Sequence, residues 1–145
     1  MKYFTLFLGI TMATLTISGC GKKNSELIKG RWKINDLTVP GPDMSKMTPE
    51  EAEYYKKAMT DQTEKMLATG YYDFKDGGIC FYELDGQKFE GKWRMSEDEK
   101  KLYTKDKKST QEEEFNITEL TEGVLIIEKG EGKELVRITM KKEAE

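Results

Sequence analysis

The sequence predicts a mainly β protein, an eight-stranded antiparallel up-and-down barrel with one helix inserted between the first and second strands. Two observations carry this expectation. From Tyr71 onward, short runs of period-two hydrophobicity alternate with glycine or charge clusters every eight to twelve residues. Before them, one long segment has helix signals at both ends. A meander with so few loop residues closes most simply into a barrel, and a sandwich is the architectural alternative.

The first strand spans Gly30 to Val39. Trp32 and Ile34 alternate with Arg31 and Lys33, and the phase then slips at Asn35-Asp36 so that Leu37 and Val39 take over. A slip of one residue predicts a bulge or bend. Pro40-Gly41-Pro42-Asp43 breaks any regular element. Thr48 is then a good N-cap, Pro49 suits the first helical position, and Glu51 completes a capping box. Glu50, Glu51 and Glu53 place negative charge where the helix dipole favours it, and Gly70 is a natural stop. The helix should run from Pro49 to Thr69, about 30 Å at roughly 1.5 Å per residue. Ala52, Tyr55, Met59, Met66 and Leu67 fall near one face, interrupted by Gln62 and Thr63.

The second strand carries Tyr72 and Phe74 and ends at Asp76-Gly77-Gly78. Ile79 to Asp85 is the third, and Asp85-Gly86 is a hairpin turn. Lys88 to Met95 carries Trp93, and Ser96-Glu97-Asp98-Glu99 turns the chain. Leu102 to Lys105 follows, then Glu112 to Leu120 with Phe115 and Ile117. Glu122-Gly123 leads into Val124 to Lys129, and Gly130-Glu131-Gly132 leads into Leu135 to Lys141.

The N-terminus has a different character. Lys2 is followed by an uncharged stretch from Phe4 to Ile17 and then by Ser18-Gly19-Cys20. The stretch is too short, and too rich in threonine and glycine, for a membrane span of roughly 20 residues, and it fits a signal peptide. Ile17-Ser18-Gly19-Cys20 resembles the lipobox of bacterial lipoproteins. That resemblance implies removal of residues 1–19, lipidation of Cys20 and attachment to a membrane that the chain does not cross. Residues 20–26 would be the lipidated N-terminus and tether, 27–142 the barrel domain, and 143–145 a charged tail. Gly21 stands where enterobacterial lipoproteins retained at the inner membrane carry aspartate, and no acidic cluster follows. The expected placement is the outer membrane, facing the periplasm.

Composition bounds the function. The chain has 145 residues, 35% of them charged, with a formal net charge of −3. A mixed, mildly acidic surface does not favour nucleic acid. Histidine is absent, which removes the commonest general base and transition-metal ligand. The carboxylates occur in runs such as Glu112-Glu113-Glu114, the pattern of solvated turns. Asp73, Asp76, Glu83 and Asp85 lack an EF-hand spacing. No catalytic residues, metal ligands or cofactor are expected. With Cys20 consumed by a thioether, Cys80 reads as a buried small hydrophobe rather than a reactive thiol.

Two Gly-x-Trp units, Gly30-Arg31-Trp32 and Gly91-Lys92-Trp93, suggest large aromatic anchors beside glycines that leave room where strands crowd. Leu27-Ile28-Lys29-Gly30-Arg31-Trp32 ahead of the meander, with Phe89-Glu90-Gly91-Lys92-Trp93 in a middle hairpin, resembles the lipocalin-like lipoproteins of Bacteroidetes-type bacteria. The resemblance implies that Trp32 plugs one barrel end beneath an arginine from the far end of the chain, the place Arg137 would take. It departs from the lipocalin pattern in its helix, which lies between the first two strands, nearer to the lid of fatty-acid-binding proteins.

The expected function is binding of a small hydrophobic ligand by a monomer. Tyr55, Met59 and Met66 on the helix would face Tyr72, Phe74, Tyr82 and Phe115 inside the barrel. The competing readings are a dry core made of the same residues, and a protein-interaction or inhibitor module of the envelope.

Overall fold

The computed structural model describes residues 21–144, so the signal segment and Cys20 lie outside the described residues. A four-residue helix, α1 (Asn24–Leu27), precedes strand β1 (Gly30–Thr38). Helix α2 (Pro49–Thr69) follows, and then β2 (Tyr71–Lys75), β3 (Ile79–Leu84), β4 (Gln87–Met95), β5 (Lys101–Asp106), β6 (Glu113–Leu120), β7 (Val124–Lys129) and β8 (Val136–Lys142). Each strand pairs antiparallel with its successor, and β8 returns to β1, which closes the barrel.

The local signals act where the sequence places them. The Thr48 hydroxyl accepts from the Glu51 amide at 3.3 Å, and the Glu51 carboxylate accepts from the Thr48 amide at 2.8 Å, so two otherwise unpaired helix donors are satisfied. Asp85 and Gly86 have φ of 53° and 74°, the positive pair a two-residue hairpin turn requires. The β1–β8 register shifts between Ile34 and Asp36, where the hydrophobic phase slips. A second shift, between Ile117 and Glu119 in β6, has no such signature. Gly70 ends α2 with an extended backbone, φ −67° and ψ 132°. A Cβ there would overlap the Met66 carbonyl and the Ile34 side chain, so the glycine serves close approach rather than a left-handed cap.

The two ends of the barrel differ. Where β1 begins, the end is sealed. Ile28 and Trp32 are fully buried, and the Trp32 indole N–H donates to the Ile28 carbonyl at 2.6 Å. Above this plug the interior is filled by Ile34, Phe74, Cys80, Leu102, Phe115, Leu125, Ile127, Ile138 and Met140. Strand β2 reaches only the level of Lys33, where Tyr71 pairs. Helix α2 lies against β1 and β3, the strands on either side of this short one. Met66 and Leu67 pack against the core, and no α2 residue is fully buried.

Glu99, in the β4–β5 turn, accepts from the Asn24 amide at 2.9 Å and from the Ser25 hydroxyl at 2.6 Å. Two expectations are corrected here. Trp93 is half-buried, its edge against Phe74 at 5.6 Å and its N–H donating to the Lys75 carbonyl, so Trp32 is the only fully buried tryptophan. The cation over Trp32 is Lys142, its Nζ 5.0 Å from the ring centre, whereas Arg137 points outward and pairs with Glu128. The glycines of the two Gly-x-Trp units do leave room, but for other neighbours. Gly30, at φ +110°, faces the Lys142 stem, and a Cβ on Gly91 would overlap the Lys105 carbonyl.

Candidate functional site

The inward positions of β5 and β6 become polar toward the end opposite Trp32. Along β5 the inward series is Leu102, Thr104, Asp106, and β6 starts with Glu113 before Phe115. Thr, Asp and Glu cannot form a dry core without losing hydration, so packing stops and an open cup of about 390 Å³ remains. This lies within the range of small-molecule sites. At roughly 30 Å³ per water, the cup holds about a dozen waters.

One wall is aromatic. Tyr72 stacks on Tyr82 with ring centres 5.4 Å apart, and Tyr82 stacks on Phe89 at 5.1 Å. The three residues are register partners on adjacent strands, Tyr72 with Tyr82 and Tyr82 with Phe89, so the ladder follows from cross-strand pairing. Facing it are Thr104, Asp106 and Glu113, and the rim is made by Leu84, Asp85, Gln87, Ser109 and Gln111. The Tyr82 hydroxyl donates to Asp106 Oδ2 at 3.2 Å, and Asp106 Oδ1 accepts from the Lys108 amide at 2.7 Å. Burial, then the Asp106 charge, pushes the Tyr82 phenol well above its ordinary value, and burial followed by Glu113 does the same to Tyr72. Both remain neutral hydrogen-bond donors. Beneath them the Cys80 thiol is pushed up to about 11, first by burial and then by Asp106, against a lowering contact with the Gly91 backbone.

Of the residues expected around a ligand, the structure brings only Tyr72 and Tyr82 into the cup. Phe74 and Phe115 are core, and Met66 packs against it from the helix. Tyr55 and Met59 are half-buried on α2 and do not line the cup, whose wall is built from strands and loops. The helix replaces missing wall beside β2 instead of presenting these two side chains to the interior. Sequence reasoning missed Phe89, Thr104, Asp106 and Glu113. Their signal is positional: each lies in phase with a buried residue two positions along its strand.

Among the described residues no group of three or more Cys, Asp or Glu is arranged to hold a metal ion, and no helix is long and apolar enough to cross a membrane. The cup offers an aromatic face, phenolic donors and carboxylates at one open end, an arrangement suited to holding a small molecule.

A closed eight-stranded antiparallel barrel with one open end defines the class, and the family model for the lipocalin-like domain matches residues 28–127. The chain belongs to this lipocalin-like family. Its fold is similar to that of an uncharacterized protein from Bacteroides eggerthii DSM 20697, with TM-score 0.50 and 12% identity over 79% of this chain and 98% of that one. A DUF4847 family protein from Bacteroides vulgatus ATCC 8482 gives TM-score 0.46 and 14% identity over 84% and 98%. A search of curated proteins finds no match.

Proposed function

We propose that this chain is an outer-membrane lipoprotein, anchored through Cys20 and facing the periplasm, whose barrel holds one small ligand in its open cup. The observation that carries the ligand reading is the cup itself, a space of about 390 Å³ beside stacked Tyr72, Tyr82 and Phe89 in an otherwise filled barrel. The anchor reading is supported by Ile17-Ser18-Gly19-Cys20 after an uncharged stretch. At roughly 0.8 kcal/mol per buried methylene, two or more acyl chains hold a protein stably on a bilayer. The described chain starts at the sealed end, beside Trp32. An anchor at Cys20 therefore sets that end toward the bilayer and the mouth toward water, so the ligand arrives from the aqueous side. The protein works as a monomer, carries no catalysis and takes no nucleic acid.

Native mass spectrometry of the full chain, purified in mild detergent from its own envelope, tests the ligand reading. A bound small molecule is expected, and Thr104→Trp, which fills the cup floor, should remove it. A wild-type protein that carries nothing and takes up no compound from an envelope extract would contradict the reading. The anchor is tested separately: Cys20→Ala should abolish labelling by palmitate analogues.

A further inference from the structure

The charge of the cup selects among ligands. Its lining includes three carboxylates, Asp85, Asp106 and Glu113, and no lysine or arginine. Two of the three have basic partners: Lys65 Nζ lies 3.1 Å from Asp85 and Lys129 Nζ lies 3.4 Å from Glu113. Asp106 has no ion pair among the described residues. Its oxygens accept from the Tyr82 hydroxyl and the Lys108 amide, and neighbouring Lys107 is paired with Glu90. A carboxylate without a direct ion pair therefore stands beside the ring stack of Tyr82 and Phe89, its lysine neighbours Lys105, Lys107 and Lys108 lining the adjacent grooves and not the cup. A carboxylate attracts cations and repels an anion.

We propose that the cup takes a small, flat, positively charged molecule, an arylalkylamine in its ammonium form, with its ring beside the Tyr72–Tyr82–Phe89 stack and its ammonium at Asp106. This rests on the reading of the cup as a ligand site and names the ligand's chemical class. Fatty acids, whose carboxylate would meet Asp106 and Glu113, are excluded.

Isothermal titration of the full chain in detergent with three indoles of one shape and different charge tests the proposal: tryptamine, 3-ethylindole and indole-3-acetate. Tryptamine should bind at least about tenfold more tightly than 3-ethylindole, and indole-3-acetate should bind most weakly. Asp106→Asn, which keeps an oxygen for Tyr82, should reduce the ratio of tryptamine to 3-ethylindole affinity by at least about fivefold. Equal or tighter binding of 3-ethylindole or indole-3-acetate by the wild-type protein overturns the charge assignment while the cup stands as a ligand site. Failure of all three to bind overturns the assignment and counts against the cup as well. The wild-type order of affinities decides the question even where the variant does not fold.

Discussion

Lys142 closes the barrel over Trp32, with its ammonium 5.0 Å from the indole centre and donating to the Leu27 carbonyl at 3.0 Å. The last residue of the last strand thus ties down both the aromatic plug and the end of α1. Replacing it with methionine keeps the apolar stem and removes the charge. Lys142→Met should cost about 1–2 kcal/mol from the lost hydrogen bond and cation–π contact, and should shift the Trp32 indole N–H resonance. Arg137→Met removes a surface ion pair with Glu128, so it should cost less than about 1 kcal/mol and leave that resonance in place. Urea unfolding and indole NMR spectra of the two variants check the assignment. A larger loss for Arg137→Met would reverse it.

Glu99 holds α1 against the β4–β5 turn, and its carboxyl sits below the ordinary carboxylate value, first because the Ser25 hydroxyl donates to it. A folded value below the unfolded one means the contribution to stability is complete above about 4.5 and fades as the pH falls through the folded value. Glu99→Gln should therefore destabilise the protein at neutral pH, by about 1 kcal/mol given the partly exposed site. The difference from wild type should shrink below about pH 4.5. Denaturant titrations at pH 7 and pH 3.5 measure it, and a difference that is constant with pH would mean that Glu99 acts without its charge.

Cys80 is fully buried between Phe74 and Gly91, its register partners, and its thiol is pushed up to about 11. The thiolate is the reactive form. Ellman's reagent at pH 8 should label this thiol only on the timescale of unfolding, and at once in guanidinium. Fast labelling of the folded protein would show that the cup floor opens.

Much of the fold was legible because it depends on short-range patterns. Inward and outward residues alternate along each strand, Asp85-Gly86 dictates its turn, and Thr48 with Glu51 dictates the helix start. The site was less legible, because an up-and-down barrel divides its interior by height as well as by face. Tyr72 and Phe74 look alike along β2, yet Tyr72 borders the cup and Phe74 lies deep in the core. The half-apolar face of α2 suggested a lid, but that face packs beside the wall through Met66 and Leu67. Arg137 was distinguishable from Lys142 by parity alone, since Lys142 shares the phase of buried Ile138 and Met140. The α1 helix, at four residues, is too short to carry a periodic signal.

The central claim is that ligands enter the strand-built cup at the end away from Trp32. The most direct measurement is NMR chemical-shift mapping of the full chain in detergent while small fragments are titrated in. The account predicts saturable shifts clustered at Tyr72, Tyr82, Phe89, Thr104 and Asp106, with Tyr55, Met59 and Trp32 unmoved. Shifts confined to α2 or to the outer face of the barrel, with the cup residues silent, would contradict it.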